Sequence, residues 1–443
     1  MAKRIRRGGP PSSRPVWGAM LDLGVLSGAK HATGLPASRP ARRLLVVGAL
    51  AVGALGVATV VSRAVSIGSS SLPADDFTQD YVSARAWSHN ENPYGYQRAQ
   101  VPRLVDADIA ADSLRPQHRN PHSPAQILVM APLSALPYRT ARTIWLMIGA
   151  TSTMLAAFAI ARSFGWSRPP SLVAGLCALA IPVVGRDLLY GQFGGPILAL
   201  IVFAWRDIRS GKEARAGFAL GAACALKLFP AFLLVPLIRK RRLEVVLATV
   251  ATAGALSVIG MLAIGVETSW NWATEVASDN FSFWRASPVN IALPGVPFRW
   301  LAHSPWRADG PDLVSLSTAM AVGLVVVTAF AALVDRHAMT GDPFISALPW
   351  MLLAGPLTGD LSLPILFPFG VFAARWALQQ EGIRRGSVFV AVAVLSIGIL
   401  PGLPGPRPGL PVVTLVLGYG LPTIALLYLG AADGLRGDRG VPA

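Results

Sequence analysis

Apolar runs long enough to cross a lipid bilayer recur along this chain from Leu44 almost to its C-terminus. A membrane-spanning helix needs about 20 consecutive apolar residues, because the hydrocarbon core is roughly 30 Å thick. The composition agrees: 53% of the 443 residues are hydrophobic and only 14% are charged, too few charges for a soluble domain of this length. The sequence therefore predicts an all-α polytopic integral membrane protein.

Arginine and lysine residues set the orientation of the predicted spans, because cytoplasmic loops are enriched in them. Residues 1–43 are basic and rich in proline and glycine, which predicts a disordered cytoplasmic tail. The first span, 44–64, then delivers residues 67–138 to the outside as a long loop. The further predicted spans are 141–161, 171–185, 195–205, 243–265, 312–334, 387–403 and 410–431, with a second external loop at 266–311 and a cytoplasmic tail at 432–443.

Two further apolar segments, 216–238 and 344–374, have charged, mostly basic residues at both ends, so both ends favour the cytoplasm. A single helix cannot satisfy that arrangement, whereas a hairpin of two half-helices can. The predicted breaks are KLFP, at 227–230, and GPLTGD, at 355–360, because proline removes a backbone hydrogen bond and unwound backbone is tolerated where protein buries it. The prediction is about eight full spans plus two broken membrane hairpins, with both breaks and the long loops external.

Three aspartates lie within six residues in the stretch DDFTQDYVSARAW, which begins at Asp75 in the first external loop. On a helix, Asp76, Asp80, Ser83 and Trp87 share one face beside an apolar stripe, which predicts a helix lying at the membrane surface. Asp75 fits the N-cap of that helix. A partly desolvated carboxylate can act as a general base toward a hydroxyl, and Asp76 is the candidate. A solvated acidic face is the alternative interpretation.

Several polar residues on the same side could bind a phosphate or a sugar. Lys227 lies within an apolar run, where an ionisable group is costly and suggests a function, although a lysine can also snorkel to the interface. The guanidinium groups of Arg186, Arg285 and Arg299 match phosphate geometry, although each could be an interface anchor. Gln192, in the motif GQFGG, could bind a sugar hydroxyl or belong to a plain glycine-rich turn.

Metal, nucleotide and nucleic-acid sites are not indicated. The six histidines lack metal-ligand spacing, no phosphate-binding loop follows a strand, and Cys177 and Cys224 fit buried apolar positions. The net charge of +16 collects at the ends of apolar runs rather than on a basic face interleaved with aromatic residues. We therefore expect a lipid bilayer and no nucleic acid as partner, and neither a cofactor nor a metal ion.

On these residues the chain resembles, along most of 44–431, the polyprenyl-phosphate-sugar-dependent glycosyltransferases of the C superfamily, especially the bacterial mannosyltransferases and arabinofuranosyltransferases. The stretch DFTQDYVSARAWSHNENPY is similar to the start of their first external loop, with Asp76 at the catalytic acid. GQFGG is similar to their GQ.N turn, and ALKLFPAFLLVPLIRKRR to their Lys-x-x-Pro hairpin with its basic end.

Two positions depart from the pattern of that group. In HSPAQILVMAPLSALP, the residues His122, Ser123 and Pro124 replace the usual YPP. In GPLTGDLSLPILFPF, Asp360 and its neighbours stand where many relatives carry a tryptophan and a histidine. Either Asp360 or His122 replaces that histidine, or the chain uses a different donor or has low activity.

The resemblance implies a glycosyltransferase-C-like fold that moves a sugar, with inversion, from a polyprenyl-phosphate donor to an envelope glycolipid or polysaccharide acceptor at the outer face of the plasma membrane. Mannose is the preferred sugar and arabinofuranose the alternative. A multi-span transporter or lipid flippase is the alternative from another class. The expected site residues are, for catalysis, Asp76 and Asp80; for the donor phosphate, Lys227, Arg285 and Arg299; and for the sugar or acceptor, Gln192, His122 and Asp360.

Overall fold

A computed structural model describes residues 39–69, 71–285, 287, 289–295, 321–323, 325, 342–377 and 382–397. The described chain is mainly helical, and its one sheet is a parallel pair of two-residue strands, β1 (Leu72–Pro73) and β2 (Ile109–Ala110). The α-helices are, in chain order, α1 (Arg39–Ser69), α2 (Asp76–Ser88), α3 (Gln97–Leu104), α4 (Pro124–Ser134), α5 (Tyr138–Ser163), α6 (Arg168–Ala178), α7 (Pro182–Tyr190), α8 (Gly194–Arg209), α9 (Glu213–Leu226), α10 (Leu234–Arg239), α11 (Leu243–Ile264), α12 (Val266–Asn271), α13 (Ala277–Trp284), α14 (Pro343–Ser346), α15 (Leu348–Ala354), α16 (Phe367–Ala377) and α17 (Gly382–Ile397).

Within the described residues, three helices are long and apolar enough to cross a membrane: α1 from Arg43 onward, α5 and α11. They differ in burial, since 17% of the apolar window is buried in α1 and in α11, but 56% in α5. Helix α5 is therefore central, and α1 and α11 present apolar sides to lipid. A helical membrane protein is confirmed, whereas the total of eight spans and two hairpins stays a prediction.

The helix pair α6 and α7 differs from the single third span predicted at 171–185. The two helices are bent by 66° at a break after Ala178 and could together form a fourth crossing. Pro182 is the first residue of α7, where its missing N–H removes no helical hydrogen bond, so a new helix can start at a new angle. As a result RDLLY, predicted in an outer loop, forms the end of α7.

Helix α2 is buried on both faces, so it lacks the exposed acidic face of the alternative interpretation, while its place at the membrane surface stays a prediction. Its apolar residues Phe77, Tyr81 and Val82 are fully buried, and so are Asp80 and Ser83 on the polar face. It packs against α4, and its polar face hydrogen-bonds to Gln97 and Asn120, which lie in the same segment, 67–138. A helix that is buried on both faces can have the sequence pattern of an amphipathic surface helix, because the partners of its polar side chains lie elsewhere in the sequence.

Both predicted helix breaks are confirmed as breaks in secondary structure. Helix α9 ends at Leu226, Lys227 has extended backbone, and a 3-10 turn at Phe229–Leu233 leads into α10. Helix α15 ends at Ala354, and the chain resumes in a 3-10 segment at Asp360–Leu366. The span predicted at 410–431, most of 312–334 and the tail at 432–443 lie outside the described residues, while the predicted N-terminal tail overlaps the start of α1.

Candidate active site

The N-terminus of α2 is fixed by a buried ion pair. Asp75 caps the helix by accepting a hydrogen bond from the Thr78 amide at 3.1 Å, which confirms the predicted N-cap. Its other oxygen accepts from Arg142 of α5 at 2.5 Å. Burial raises the pKa of Asp75 to about 6, although the Arg142 charge acts in the opposite direction. Asp75 is thus occupied in holding the helix that begins at Asp76.

Asp76, Gln192 and Lys227 form one hydrogen-bonded chain. Asp76 is half-buried and accepts from Gln79 Nε2 at 3.0 Å and from Gln192 Nε2. The amide oxygen of Gln192 in turn accepts from Lys227 Nζ at 2.6 Å. A side-chain amide donates at one end and accepts at the other, so one glutamine connects a carboxylate to an ammonium group. The sequence predicted these three residues for three separate roles, and the structure brings them together.

The glycines around Gln192 explain its position. Gly191 ends α7 in the left-handed conformation, with φ of 65°, and a side chain there would overlap Arg142 and Phe77. A side chain at Gly194 would overlap the carboxylate of Asp187. These glycines allow close approach of other parts of the protein, rather than of a ligand, and so place Gln192 between Asp76 and Lys227.

Asp187 is a site residue that the sequence prediction missed. It is 1% exposed, and its carboxylate faces the first amides of α8, at Gly194 and Gly195. Among the described residues, neither of its oxygens completes a hydrogen bond of ordinary geometry. Its charge interacts with those of Lys227 and Asp76. The sequence signal for Asp187 was its position a few residues before GQFGG. The topology prediction had placed this aspartate in an external loop.

Asp80 lies beneath this chain in a buried polar network. Its carboxylate is 1% exposed and accepts from Asn120 Nδ2 at 3.0 Å, Gln126 Nε2 at 3.0 Å and His122 Nδ1 at 2.7 Å. Because a carboxylate can only accept, the proton of this hydrogen bond belongs to Nδ1 of His122. The other ring nitrogen, Nε2, is not engaged by Asp80. The surroundings of Asp80 favour positioning His122 over direct proton transfer by Asp80.

Asp360 and Arg186, predicted for different ligands, are each other's partners. Asp360 is 2% exposed and accepts from Arg186 at 2.5 Å, and its amide donates to the carbonyl of Val289 at 2.9 Å. Arg285 is buried at the end of α13, where its carbonyl accepts from Asn290. The segment around Val289 is therefore joined to the break after α15. Arg299 lies outside the described residues.

Among the described residues, Lys227 is the cation that connects to Asp76 through Gln192. Arg142 is paired with Asp75, and Arg186 with Asp360. Within the ranges that the structure describes, no group of three or more His, Cys, Asp or Glu side chains is arranged to hold a metal ion. A half-buried carboxylate beside a lysine, enclosed by apolar helices, can take a proton from a hydroxyl and bind an anionic group.

Residues 121–357 match the family model of glycosyltransferase family 87, which is more than half of the chain. The chain belongs to glycosyltransferase family 87. The family match includes His122, Gln192 and Lys227, whereas Asp76 lies N-terminal to it. Together with the apolar helices, membership of family 87 makes the protein a membrane glycosyltransferase and confirms the resemblance to the C superfamily.

This family 87 member is similar to the α-(1→3)-arabinofuranosyltransferases of two strains of Mycobacterium tuberculosis. Each is 26% identical over 242 residues, which are 52% of this chain and 50% of the relative. The chain therefore spans about half the length of the curated relatives it matches. No solved structure matches the chain at a significant level.

Proposed function

We propose that this protein transfers a sugar from a polyprenyl-phosphate carrier to a hydroxyl of an envelope glycolipid or polysaccharide. The observation that carries this proposal is the Asp76–Gln192–Lys227 chain, which sets a base and a phosphate-binding cation at the two ends of one amide. Membership of family 87 supports an enzyme over a transporter or flippase. The outer face of the plasma membrane, as the place of reaction, belongs to the same proposal.

The proposed step is an inverting substitution at the anomeric carbon. The acceptor oxygen attacks opposite the phosphate, the bond from the anomeric carbon to the phosphate oxygen breaks, and its electron pair leaves on that oxygen. Asp76 takes the hydroxyl proton. A carboxylate has about four lone-pair sites, and Gln79 and Gln192 each donate one hydrogen bond to Asp76, so acceptor capacity remains for the hydroxyl. Asp75 and Asp80 are buried and occupied, which leaves Asp76 as the accessible carboxylate of the three.

Lys227 compensates the charge that develops on the departing polyprenyl phosphate. Its ammonium group has three donors, and one of them points to Gln192. A cation that is held in place before the reaction stabilises developing charge without reorganisation. Arg285 and Arg299 remain candidates for further contacts with the phosphate.

His122 is the better candidate to replace the histidine that many relatives carry near Asp360. Asp360 is engaged by Arg186, whereas Asp80 binds only the Nδ1 side of His122. We assign Nε2 of His122 a hydrogen bond to the sugar or the donor phosphate. Asp360 then serves to hold the break after α15 against α7.

Two donor sugars are candidates. The similar proteins from Mycobacterium tuberculosis are named α-(1→3)-arabinofuranosyltransferases, which favours polyprenyl-phosphate arabinofuranose. Polyprenyl-phosphate mannose is the donor preferred from the family resemblance alone. Both donors present the same phosphate to Lys227 and a different ring to Gln192 and His122, so the assignment of the base does not depend on the sugar.

The test is sugar transfer by purified protein in lipid nanodiscs, supplied with either donor and an envelope glycolipid extract. Asp76→Asn is compared with Asp112→Asn, the same substitution at an exposed aspartate of the same loop. We expect one donor to give product with wild type and Asp112→Asn, and a fall of about 10²- to 10⁴-fold in Asp76→Asn. Equal turnover in all three would reject Asp76 as base, and no product from either donor would reject the donor class.

A further inference from the structure

One face of α5 contacts the two segments that carry the candidate site, which are the start of α2, with Asp76, and the turn after α7, with Gln192. Tyr138, Arg142 and Trp145 follow one another at spacings of four and three residues, so their side chains form one stripe along the helix. All three are buried, although each ends in a polar group. The hydrogen bonds of these three groups go to segments that flank Asp76 and Gln192.

The first contacts fix the start of α2. The Tyr138 hydroxyl lies 2.8 Å from Thr78 Oγ1, in the first turn of that helix. The Arg142 guanidinium donates to Asp75 at 2.5 Å and lies over the ring of Phe77, at 4.9 Å from its centroid. Asp76 is therefore enclosed between two residues that Arg142 contacts.

The remaining contacts fix the segment that carries Gln192. Arg142 also donates to the carbonyl of Leu189, at the end of α7. Trp145 Nε1 donates to the carbonyl of Gly191 at 2.7 Å, and its ring centroid lies 4.5 Å from that of Phe193. Gln192 is thus held on both sides by a single tryptophan.

We propose that this stripe of α5 is a positioning device that sets the distance between the Asp76 carboxylate and the Gln192 amide, with Arg142 as its central member. Asp76 and Gln192 are 116 residues apart in the sequence, so their separation depends on a common support. The inference rests on the proposed roles of Asp76 and Gln192.

The cost of burying Arg142 supports this interpretation. A buried ion pair loses hydration and is weak support for a purely stabilising role, because well-packed apolar residues often stabilise a fold equally well. The planar guanidinium, in contrast, fixes the direction of its Nη2, which donates both to Asp75 and to the carbonyl of Leu189, while the same plane lies over the ring of Phe77. Lysine keeps the charge but lacks the planar group that fixes the direction of both hydrogen bonds and covers Phe77.

The experiment measures kcat and the KM for the donor, using whichever of the two polyprenyl-phosphate sugars the wild type accepts. The variants are Arg142→Gln, Arg142→Lys and Tyr138→Phe, and the matched control is Arg139→Gln, an arginine of the same helix that donates to the carbonyl of Ile67 in α1. Because a misplacement of about 1 Å can cost about 100-fold in rate, we expect Arg142→Gln to lower kcat by that order with KM changed less than about threefold.

Arg142→Lys is expected to remain at least about 10-fold below wild type in kcat, because the charge alone does not restore the planar guanidinium that orients both hydrogen bonds. Tyr138→Phe removes one hydroxyl and keeps the ring, so it should fold and lower kcat by roughly fivefold, as the loss of one hydrogen bond of about 1 kcal/mol predicts. Arg139→Gln should stay within about twofold of wild type, as expected for a side chain outside the reacting geometry.

Normal kcat in both Arg142→Gln and Tyr138→Phe would overturn the inference. An equal loss in Arg139→Gln would also overturn it, since α5 would then matter only for folding. If Arg142→Gln yields no folded protein, the kcat of Tyr138→Phe decides alone. Active Asp76→Asn would reject the proposed base, whereas inactive Asp76→Asn together with active α5 variants would reject the positioning role only.

Discussion

Gln192 is a neutral residue that connects two charged ones, and its amide hydrogen-bonds to both. Hydrogen bonds to charged groups contribute about 1.5–3 kcal/mol each, so we expect Gln192→Leu to lower kcat/KM by about 100-fold or more. The same substitution at the exposed Gln117 is the control and should leave kcat/KM unchanged. A Gln192→Leu enzyme within twofold of wild type would show that the connection has no part in transfer.

We expect His118 to make the segment 105–123 sensitive to acid. Burial, reinforced by the charges of Arg115 and His122, lowers the pKa of His118 to about 4. An unfolded histidine titrates near 6.5, so the stability due to the neutral ring is complete above that pH and is lost as the pH falls toward 4. Between pH 7 and pH 5 the loss is about 2 kcal/mol.

Amide hydrogen exchange of residues 105–123, corrected for the intrinsic pH dependence of exchange, measures this effect. We expect protection to fall by about 30-fold at pH 5 in wild type and to persist in His118→Phe, which keeps a buried ring without a titrating nitrogen. Equal loss of protection in both proteins would assign the acid sensitivity to another group.

Single residues of the site could be predicted from the sequence, but their partners could not. The acidic stretch indicated Asp76, and the break in an apolar run indicated Lys227, because both signals are local. Arg142 and Asp187 were missed as site residues. Their roles come from contacts with residues far away in sequence, which no local pattern encodes.

At the scale of helices, Gly217 and Gly221 allow α9 to pack closely along α11. A side chain at these two positions would meet the carbonyl oxygens of Val245 and Thr249, one turn apart in α11. We expect Gly221→Leu to lower the free energy of unfolding by about 1–3 kcal/mol, as overpacking does. Unfolding in a detergent titration measures this change.

Gly254→Leu is the matched control for Gly221→Leu. Gly254 lies on α11, and a side chain there would meet open space. Its substitution should change the free energy of unfolding by less than about 0.5 kcal/mol. If both substitutions destabilise the protein equally, helix propensity rather than the contact between α9 and α11 is responsible.

The helices that could be predicted are those whose ends and burial follow from local sequence features. Pro230 and its neighbours indicated the break after α9, and the apolar runs indicated α1, α5 and α11. The buried position of α2 was not predictable, because its polar face meets Asn120 and Gln126 from another part of the loop. The bend between α6 and α7 was missed because the break between Ala178 and Pro182 lies inside a continuous apolar run.

At the scale of the whole molecule, the predicted orientation places Ser71 outside and Lys212 in the cytoplasm. Both are exposed, and Cys177 and Cys224 are free thiols that must first be replaced by alanine. We expect a membrane-impermeant maleimide to label Ser71→Cys in intact cells and Lys212→Cys only after permeabilisation. The reverse pattern would place the Asp76 loop in the cytoplasm and exclude an external acceptor.

The burial of the Asp187 carboxylate has a consequence for handling the protein. A buried carboxylate whose hydrogen bonds have poor geometry reduces stability, and such costs are often retained where activity needs them. Asp187→Asn should therefore unfold about 2–4 °C higher than wild type for each kcal/mol recovered, while its turnover falls. Thermal unfolding followed by size-exclusion chromatography would measure the gain, and a lower midpoint would mean that the charge stabilises the fold. A slower and more heat-resistant variant would suit the trapping of a donor complex for cryo-electron microscopy.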